Sequence, residues 1–175
     1  MPTDSQISPQ ALAATDLFAG LPAPALAVVA AVALRRKALP GTPIFNQGDG
    51  NVRAHVVIEG SVRISQTGGD GAQVVLRFIG PGETFGTVAL FTDGRYPADA
   101  TALRETLEAS WSEAELADRM TRYPRIAINV IRIVGKRLQE VQDRMRVLAT
   151  QRAERRIAHA LIRRARRCGH GTAAG

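Results

Sequence analysis

Few side chains in this sequence could bind a metal or attack a substrate. The 175 residues include three histidines and one cysteine. His55 lies in a strand-like stretch whose alternation places it on one face with Val57 and Glu59. We interpret it as a surface or hydrogen-bonded strand histidine, with a haem or metal ligand as the weaker alternative. Catalytic metal sites need several converging His and carboxylate ligands, which one histidine on one strand does not supply. We therefore predict that the chain is not an enzyme.

The single cysteine, Cys168, excludes an internal disulfide, a cysteine-ligated zinc site and a four-thiolate iron–sulfur cluster within one chain. A reducing, cytoplasmic location fits this cysteine usage best. The longest apolar run, residues 21–34, spans 14 residues, contains Pro22 and Pro24, and has no Lys or Arg before it. It is too short for a membrane span and lacks the basic start of a signal peptide, so we expect no membrane partner.

The net charge of +7 is concentrated at the C-terminal end. Residues 151–175 contribute +6 of it, because they hold seven arginines and one acidic residue, Glu154. The 150 residues before them are nearly balanced, so the charge does not mark the whole chain as a nucleic-acid-binding protein. Residues 151–167 have the form of a basic amphipathic helix.

Turn residues divide the middle of the chain into short strand-like runs, which is typical of an antiparallel roll or barrel. Ser8 before Pro9 predicts the start of a helix, and a second short helix is expected after Pro22. Ser112 and Glu115 form a capping-box pattern that predicts a helix over residues 113–120. The predicted strands cover residues 34–39, 44–45, 55–58, 62–66, 73–79, 98–103 and 106–111, and a helical turn covers residues 87–91.

From Pro124 the chain has no glycine or proline except Gly135 until Gly169, which predicts a long helix. One stripe of that helix follows the alternating steps of four and three of a two-stranded coiled coil. It consists of Ala127, Ile131, Val134, Leu138, Val141, Met145 and Leu148. A neighbouring stripe of Ile126, Val130, Ile133 and Arg137 is expected to dock on the roll. We predict a homodimer through the first stripe, the alternative being a seam buried within one chain.

Over residues 16–165 the chain resembles the sensor half of the CRP/FNR family of bacterial transcription regulators, because several short sequence motifs match those of the family and occur in the same order. These are Leu17-Phe18 before Leu21, Pro40-Gly41-Thr42 through Ile44-Phe45-Asn46-Gln47-Gly48-Asp49, Val56-Val57-Ile58-Glu59-Gly60-Ser61-Val62-Arg63, Pro81-Gly82-Glu83-Thr84-Phe85-Gly86, and Arg155-Arg156-Ile157-Ala158. The resemblance implies an α+β fold: an antiparallel β-roll of the jelly-roll, cyclic-nucleotide-binding-like type, with short N-terminal helices and a long C-terminal dimerisation helix.

The resemblance also identifies residues 85–102 with the family's phosphate-binding cassette, called the cassette below. In the family, a short helix presents backbone amides to the cyclic phosphate, an Arg pairs with its charge, and a Glu accepts from the ribose hydroxyl. The effector-binding residues implied here are Gly86, Thr87, Val88, Ala89, Leu90, Arg95, Tyr96, Pro97 and Ala98. Thr87 replaces the Glu and Pro97 replaces the Arg, so we do not expect ordinary cAMP recognition.

Residues 94–102 are most similar to the branch of the family that regulates denitrification and responds to nitric oxide, generally through haem. The oxygen sensors carry an N-terminal cysteine cluster, whereas residues 1–30 contain no cysteine. The carbon-monoxide sensors place their Cys and His haem ligands at the positions of Gly86 and Val88. Haem is therefore the cofactor that the resemblance suggests, with no iron–sulfur cluster and with His55 as a weak ligand candidate.

We therefore expect the effector-sensing and dimerisation domain of a CRP/FNR-like DNA-binding transcription regulator. The expected organisation is an N-terminal extension (residues 1–15), a β-roll sensing a small effector (16–123), a coiled-coil dimerisation helix (124–150), the first helix of a truncated winged helix-turn-helix domain (151–167) and a disordered tail (168–175). DNA would be bound only through a domain missing from this chain. The alternatives are a cyclic-nucleotide-binding regulatory module and, remotely, a cupin-like metal enzyme.

Overall fold

The computed structural model describes residues 7–168, with side chains described for residues 7–147 and 150. The helices are α1 (Pro9–Ala13), α2 (Ala23–Ala31), α3 (Thr87–Leu90), α4 (Glu113–Arg122) and α5 (Pro124–Cys168). The strands are β1 (Leu34–Ala38), β2 (Pro43–Phe45), β3 (Arg53–Glu59), β4 (Val62–Thr67), β5 (Gln73–Ile79), β6 (Thr84–Phe85), β7 (Asp99–Ala102) and β8 (Thr106–Ser112). Each strand predicted from the sequence is present, and the two-residue strand β6 is an addition.

The strands form two antiparallel four-stranded sheets, with the orders β1-β8-β3-β6 and β2-β7-β4-β5. Both sheets contribute to a core between them, since one cluster of buried side chains joins Val57 and Phe85 of the first sheet to Val62 and Ala100 of the second. The predicted antiparallel β-roll with its long C-terminal helix is confirmed.

A second core lies on the other face of the first sheet. Because side chains alternate along a strand, Val56 and Trp111 point away from the roll interior and pack against the helices. Trp111 is fully buried and donates from Nε1 to the carbonyl oxygen of Val29 at 3.0 Å. The predicted docking stripe supplies Ile126, Val130 and Ile133 to this same cluster.

Local signals define the helix starts that the sequence predicted. The Ser8 side chain accepts from the amide of Ala11 at the start of α1, with Pro9 in its first turn. At α4 the full capping box is present, because Ser112 Oγ accepts from the amide of Glu115 while the Glu115 carboxylate accepts from the amide of Ser112.

Helix α5 is continuous from Pro124 to Cys168, so the predicted division at residues 150/151 is not marked by a break in the helix. The chain separates into two compact units between Ile133 and Val134. No helix in the described part of the chain is both long and apolar enough to cross a membrane. The predicted tail beyond Cys168 lies outside the described residues.

Candidate functional site

The start of the cassette depends on a glycine that no other residue replaces without a clash. Gly86 precedes α3 with a φ of 76°, a conformation that side chains other than glycine rarely adopt. A Cβ there would lie 2.8 Å from the carbonyl oxygen of Arg53 and 2.9 Å from the ring of His55. The backbone of the cassette therefore lies directly against strand β3.

The helical turn α3 presents one apolar side chain outward and buries the others. Thr87, Ala89 and Leu90 are buried, and Val88 is exposed. The predicted ribose-reading position therefore holds a buried threonine, without the carboxylate of the family pattern. The structure brings this turn together with the other predicted cassette residues in one segment of the roll.

The second half of the cassette is held by a neighbouring loop through backbone contacts. The amide of Tyr96 donates to the carbonyl oxygen of Asp49 at 3.0 Å, and the amide of Gly48 donates to the carbonyl oxygen of Tyr96 at 2.8 Å. The exposed Arg95 directs its guanidinium to the Gly48 carbonyl oxygen at 2.9 Å. Arg95 is the one cationic residue between positions 86 and 98, and it is bound to this loop. Pro97 is exposed and Ala98 is buried.

A buried chain of polar groups lies behind the cassette and consists of Tyr96, His55 and Glu108. The Tyr96 hydroxyl lies 3.0 Å from His55 Nε2, and His55 Nδ1 lies 2.5 Å from Glu108 Oε2. The same hydroxyl accepts from the amide of Arg53 at 2.7 Å. All three residues of this Tyr96–His55–Glu108 network are at most 5% exposed.

Aromatic rings enclose the network. The Phe45 ring stacks on Tyr96 with centroids 3.6 Å apart and planes 4° apart, and Phe85 stacks on His55 at 4.9 Å. Burial raises the pKa of the Tyr96 hydroxyl to about 12, with the negative charge of Glu108 acting in the same direction and the Arg53 amide opposing both. Tyr96 is therefore a neutral hydrogen-bonding group.

His55 is the hydrogen-bonded strand histidine that we favoured from the sequence. Its Nδ1 lies beside the Glu108 carboxylate, a partner 53 residues away in the sequence. Both ring nitrogens already contact protein groups, so neither has an open position for an iron or another metal. Among the described residues, no group of three or more His, Cys, Asp or Glu could hold a metal ion.

Glu108 and the inward orientation of Tyr96 were missed from the sequence. On β8, Thr106, Glu108 and Ser110 alternate with Leu107, Ala109 and Trp111, so the pattern placed a carboxylate on one face of a buried strand. That alternation was the available signal. It did not show whether this face lies inside the roll.

Arg53 joins the same region to α4. Its guanidinium donates to Ser110 Oγ at 3.0 Å and to Glu115 Oε2 at 3.2 Å. Burial acts to raise the pKa of Glu115, but hydrogen bonds from the Ser112 amide and hydroxyl and the charge of Arg53 outweigh it and lower that pKa. Arg53 is thus bound on several sides.

The predicted dimerisation residues form a second location, on α5. Ile131, Val134, Leu138, Val141 and Met145 are all exposed in the single chain, by 43% to 70%. The side chain of Leu148 lies outside the described residues. The stripe is thus an apolar face that nothing in the described chain covers.

Comparison with known proteins agrees with this architecture. The family model "Cyclic nucleotide-binding domain" matches residues 35–123, about half of the chain. The Cyclic AMP receptor protein of Thermus thermophilus is 35% identical over 151 residues, covering 85% of this chain and 69% of that protein.

Solved structures match over most of the chain. The Thermus thermophilus Catabolite Activator Protein superposes with a TM-score of 0.74 at 30% identity, over 87% of this chain and 72% of that one. The sensor domain of the transcriptional regulator DNR from Pseudomonas aeruginosa gives 0.66 at 22% identity, over 77% and 90%, a level of identity that shows the fold alone. This chain belongs to the cyclic nucleotide-binding domain family and is a homologue of the CRP/FNR regulators.

Proposed function

We propose that this chain is the effector-sensing and dimerisation part of a CRP/FNR-like transcription regulator, and that its effector is not ordinary cAMP. The cassette would bind a small effector, α5 would pair two chains, and DNA would be bound by a further domain in a cytoplasmic protein. Effector binding would shift the population between two packings of the cassette against its surroundings.

The cassette chemistry carries the argument against cAMP. A cyclic phosphate bound in a partly buried site needs a cation, and losing a charge-assisted Arg–phosphate pair costs several kcal/mol. Pro97 stands at the position of that cation, and Arg95 is engaged with the carbonyl oxygen of Gly48. Thr87 cannot act as the carboxylate that accepts from a ribose hydroxyl.

A titration with matched variants tests this point. We expect no calorimetric binding of cAMP to the wild-type domain tighter than about 10 μM. The double variant Thr87→Glu/Pro97→Arg restores both charged positions and should bind cAMP at least tenfold tighter. Wild-type binding below about 10 μM that the double variant does not improve would overturn this reading and favour the cyclic-nucleotide module, which the name of the Thermus relative supports.

Nitric oxide with haem remains the effector suggested by the resemblance. His55 does not fit as an axial ligand, because its two nitrogens contact Glu108 and Tyr96. A haem titration should give a saturable Soret band at a defined stoichiometry if this suggestion holds, and His55→Gln should leave that band unchanged. Absence of a saturable band in the wild-type domain removes the haem proposal.

The exposed stripe of α5 supports the dimer. Its residues repeat at the spacing of coiled-coil a and d positions, and an apolar face of this kind is stable in water when a partner helix covers it. Leu138→Glu places a charge in the seam, whereas Gln139→Glu places the same charge on a neighbouring exposed position. Sedimentation should show monomers for Leu138→Glu and dimers for Gln139→Glu. An unchanged mass for Leu138→Glu would rule out the seam.

A further inference from the structure

A cavity is lined by residues of strands β1, β2, β3 and β8 of the roll. Its volume is about 420 Å³, within the usual range for small-molecule sites. Residues 49–51, in the loop between β2 and β3, also line it. Tyr96 lines it from the cassette side. No residue of the α3 turn lines it.

A buried carboxylate with one oxygen unpaired faces this cavity. Glu108 is 1% exposed and lines the cavity, and its Oε2 is taken by His55. No hydrogen bond to Oε1 is present among the described residues. Because Glu108 lines the cavity, a ligand N–H group there can approach Oε1 and form a charge-assisted hydrogen bond with it. Ser110, two residues along the same strand face, has a hydroxyl that accepts from Arg53 and can donate to a ligand.

A guanidinium with unused donors lies on the adjacent strand. Arg36 is the register partner of Glu108 across the β1–β8 pair, a spacing of about 5 Å between Cα atoms. Its guanidinium donates to the carbonyl oxygens of Ile44 and Pro43 at 3.0 and 3.1 Å. Those two bonds use two of five N–H donors, and no carboxylate pairs with Arg36 in the described part of the chain.

The charges and the remaining walls restrict the ligand. Glu108 and Asp49 disfavour a net anion, while Arg36 and Arg53 disfavour a net cation. A small zwitterion satisfies both conditions, since its ammonium can donate to Glu108 and its carboxylate can accept from Arg36. The apolar part of the wall is formed by Leu34, Ile44 and Phe45.

We propose that this cavity binds a free α-amino acid with an apolar side chain, its ammonium on Glu108 and its carboxylate on Arg36. The site goes beyond the effector role of the cassette. Tyr96 belongs to both, so an occupant of the cavity would contact a residue that also holds the cassette in place.

Calorimetric titration of the whole chain with L-leucine, L-phenylalanine and L-methionine tests the proposal. At least one of them should bind saturably below 10 mM. Analogues of the bound amino acid that lack either its ammonium or its carboxylate should not bind. For L-leucine these analogues are 4-methylpentanoate, which lacks the ammonium, and 3-methylbutylamine, which lacks the carboxylate. Failure of all three amino acids, or equal binding of an analogue that lacks one charge, overturns the proposal.

Variants on one strand provide the matched control. Arg36→Gln should weaken binding at least tenfold, whereas Lys37→Gln removes the same charge from the opposite face of β1 and should stay within twofold. Glu108→Gln should also lose binding. Since Arg36 is exposed and Glu108 is buried, Arg36→Gln carries the test if Glu108→Gln does not fold. Equal affinities of Arg36→Gln and Lys37→Gln contradict the site and leave the cassette proposal, which depends on Thr87 and Pro97, unaffected.

Discussion

Removal of a single hydroxyl in Tyr96→Phe should show how much the buried network contributes to the stability of the roll. That hydroxyl accepts from the amide of Arg53 at 2.7 Å and lies 3.0 Å from a ring nitrogen of His55. Phenylalanine keeps the ring that stacks on Phe45 and removes these contacts together with the hydroxyl's 3.2 Å hydrogen bond to the Arg53 carbonyl oxygen. The buried ring nitrogen of His55 and the part-buried amide of Arg53 therefore lose a partner, each at about 1–2 kcal/mol.

We expect Tyr96→Phe to lower the free energy of unfolding by about 2–4 kcal/mol, a large part of the 5–15 kcal/mol typical of a domain. Urea denaturation followed by Trp111 fluorescence measures the change, and a slope of about 2 kcal/mol per molar urea converts it to a midpoint shift of about 1–2 M. Trp111 lies in the other core, so its signal does not depend on local contacts with Tyr96.

The sequence contains one other tyrosine, Tyr123, which supplies the matched control. Its side chain packs against the helical core, and no hydrogen bond from its hydroxyl is present among the described residues. Tyr123→Phe should change the free energy of unfolding by less than about 0.5 kcal/mol. If both variants were equally stable, the buried hydroxyl would not support the roll, and the reasoning would be refuted.

Further predictions concern pH and backbone conformation. Because the pKa of Tyr96 is raised to about 12, the contribution of Tyr96 to stability is complete below pH 10 and is lost as the pH rises through 12. Ultraviolet titration at 295 nm should show an ionisation above pH 11 that Tyr96→Phe removes. Persistence of this ionisation in Tyr96→Phe would contradict the assignment. Because the pKa of Glu115 is lowered, its ionised carboxylate stabilises the fold at pH values above the ordinary pKa of 4.5, and this stabilisation is lost as the pH falls below that value. Scanning calorimetry should show Glu115→Gln less stable than wild type at pH 7 and nearer to wild type at pH 3. A difference in stability that does not change with pH would contradict this. Gly60→Ala places a Cβ 2.4 Å from a backbone carbonyl oxygen, whereas Gly41→Ala, at a similar positive φ, meets nothing within 4 Å. Thermal unfolding should show a loss of about 1 kcal/mol for Gly41→Ala and a much larger loss for Gly60→Ala, and equal losses would show that the backbone gives way at Gly60.

Most elements of the fold could be predicted because their signals are local. Capping residues start α1 and α4, and glycines and prolines in turns mark the ends of the strands. The spacing of Ile126, Val130 and Ile133 marks the face of α5 that packs in the second core, between the first sheet and the helices. The strand β6 was missed because two residues carry no periodicity. The helix boundary at residues 150/151 was inferred from the resemblance, and no local stop signal interrupts α5 there.

The sequence by itself determined the absence of a cationic residue at position 97, the single histidine of the roll and the heptad stripe of α5, since each is a matter of residue type and spacing. Only the tertiary structure decided that His55 meets Glu108, 53 residues away, and Tyr96, 41 residues away. Alternation along a strand shows which residues share a face, but the pairing of β3 with β8 decides which faces adjoin and which one is enclosed. That pairing turned a lone histidine into part of a buried network behind the cassette, and it placed Glu108 beside a cavity.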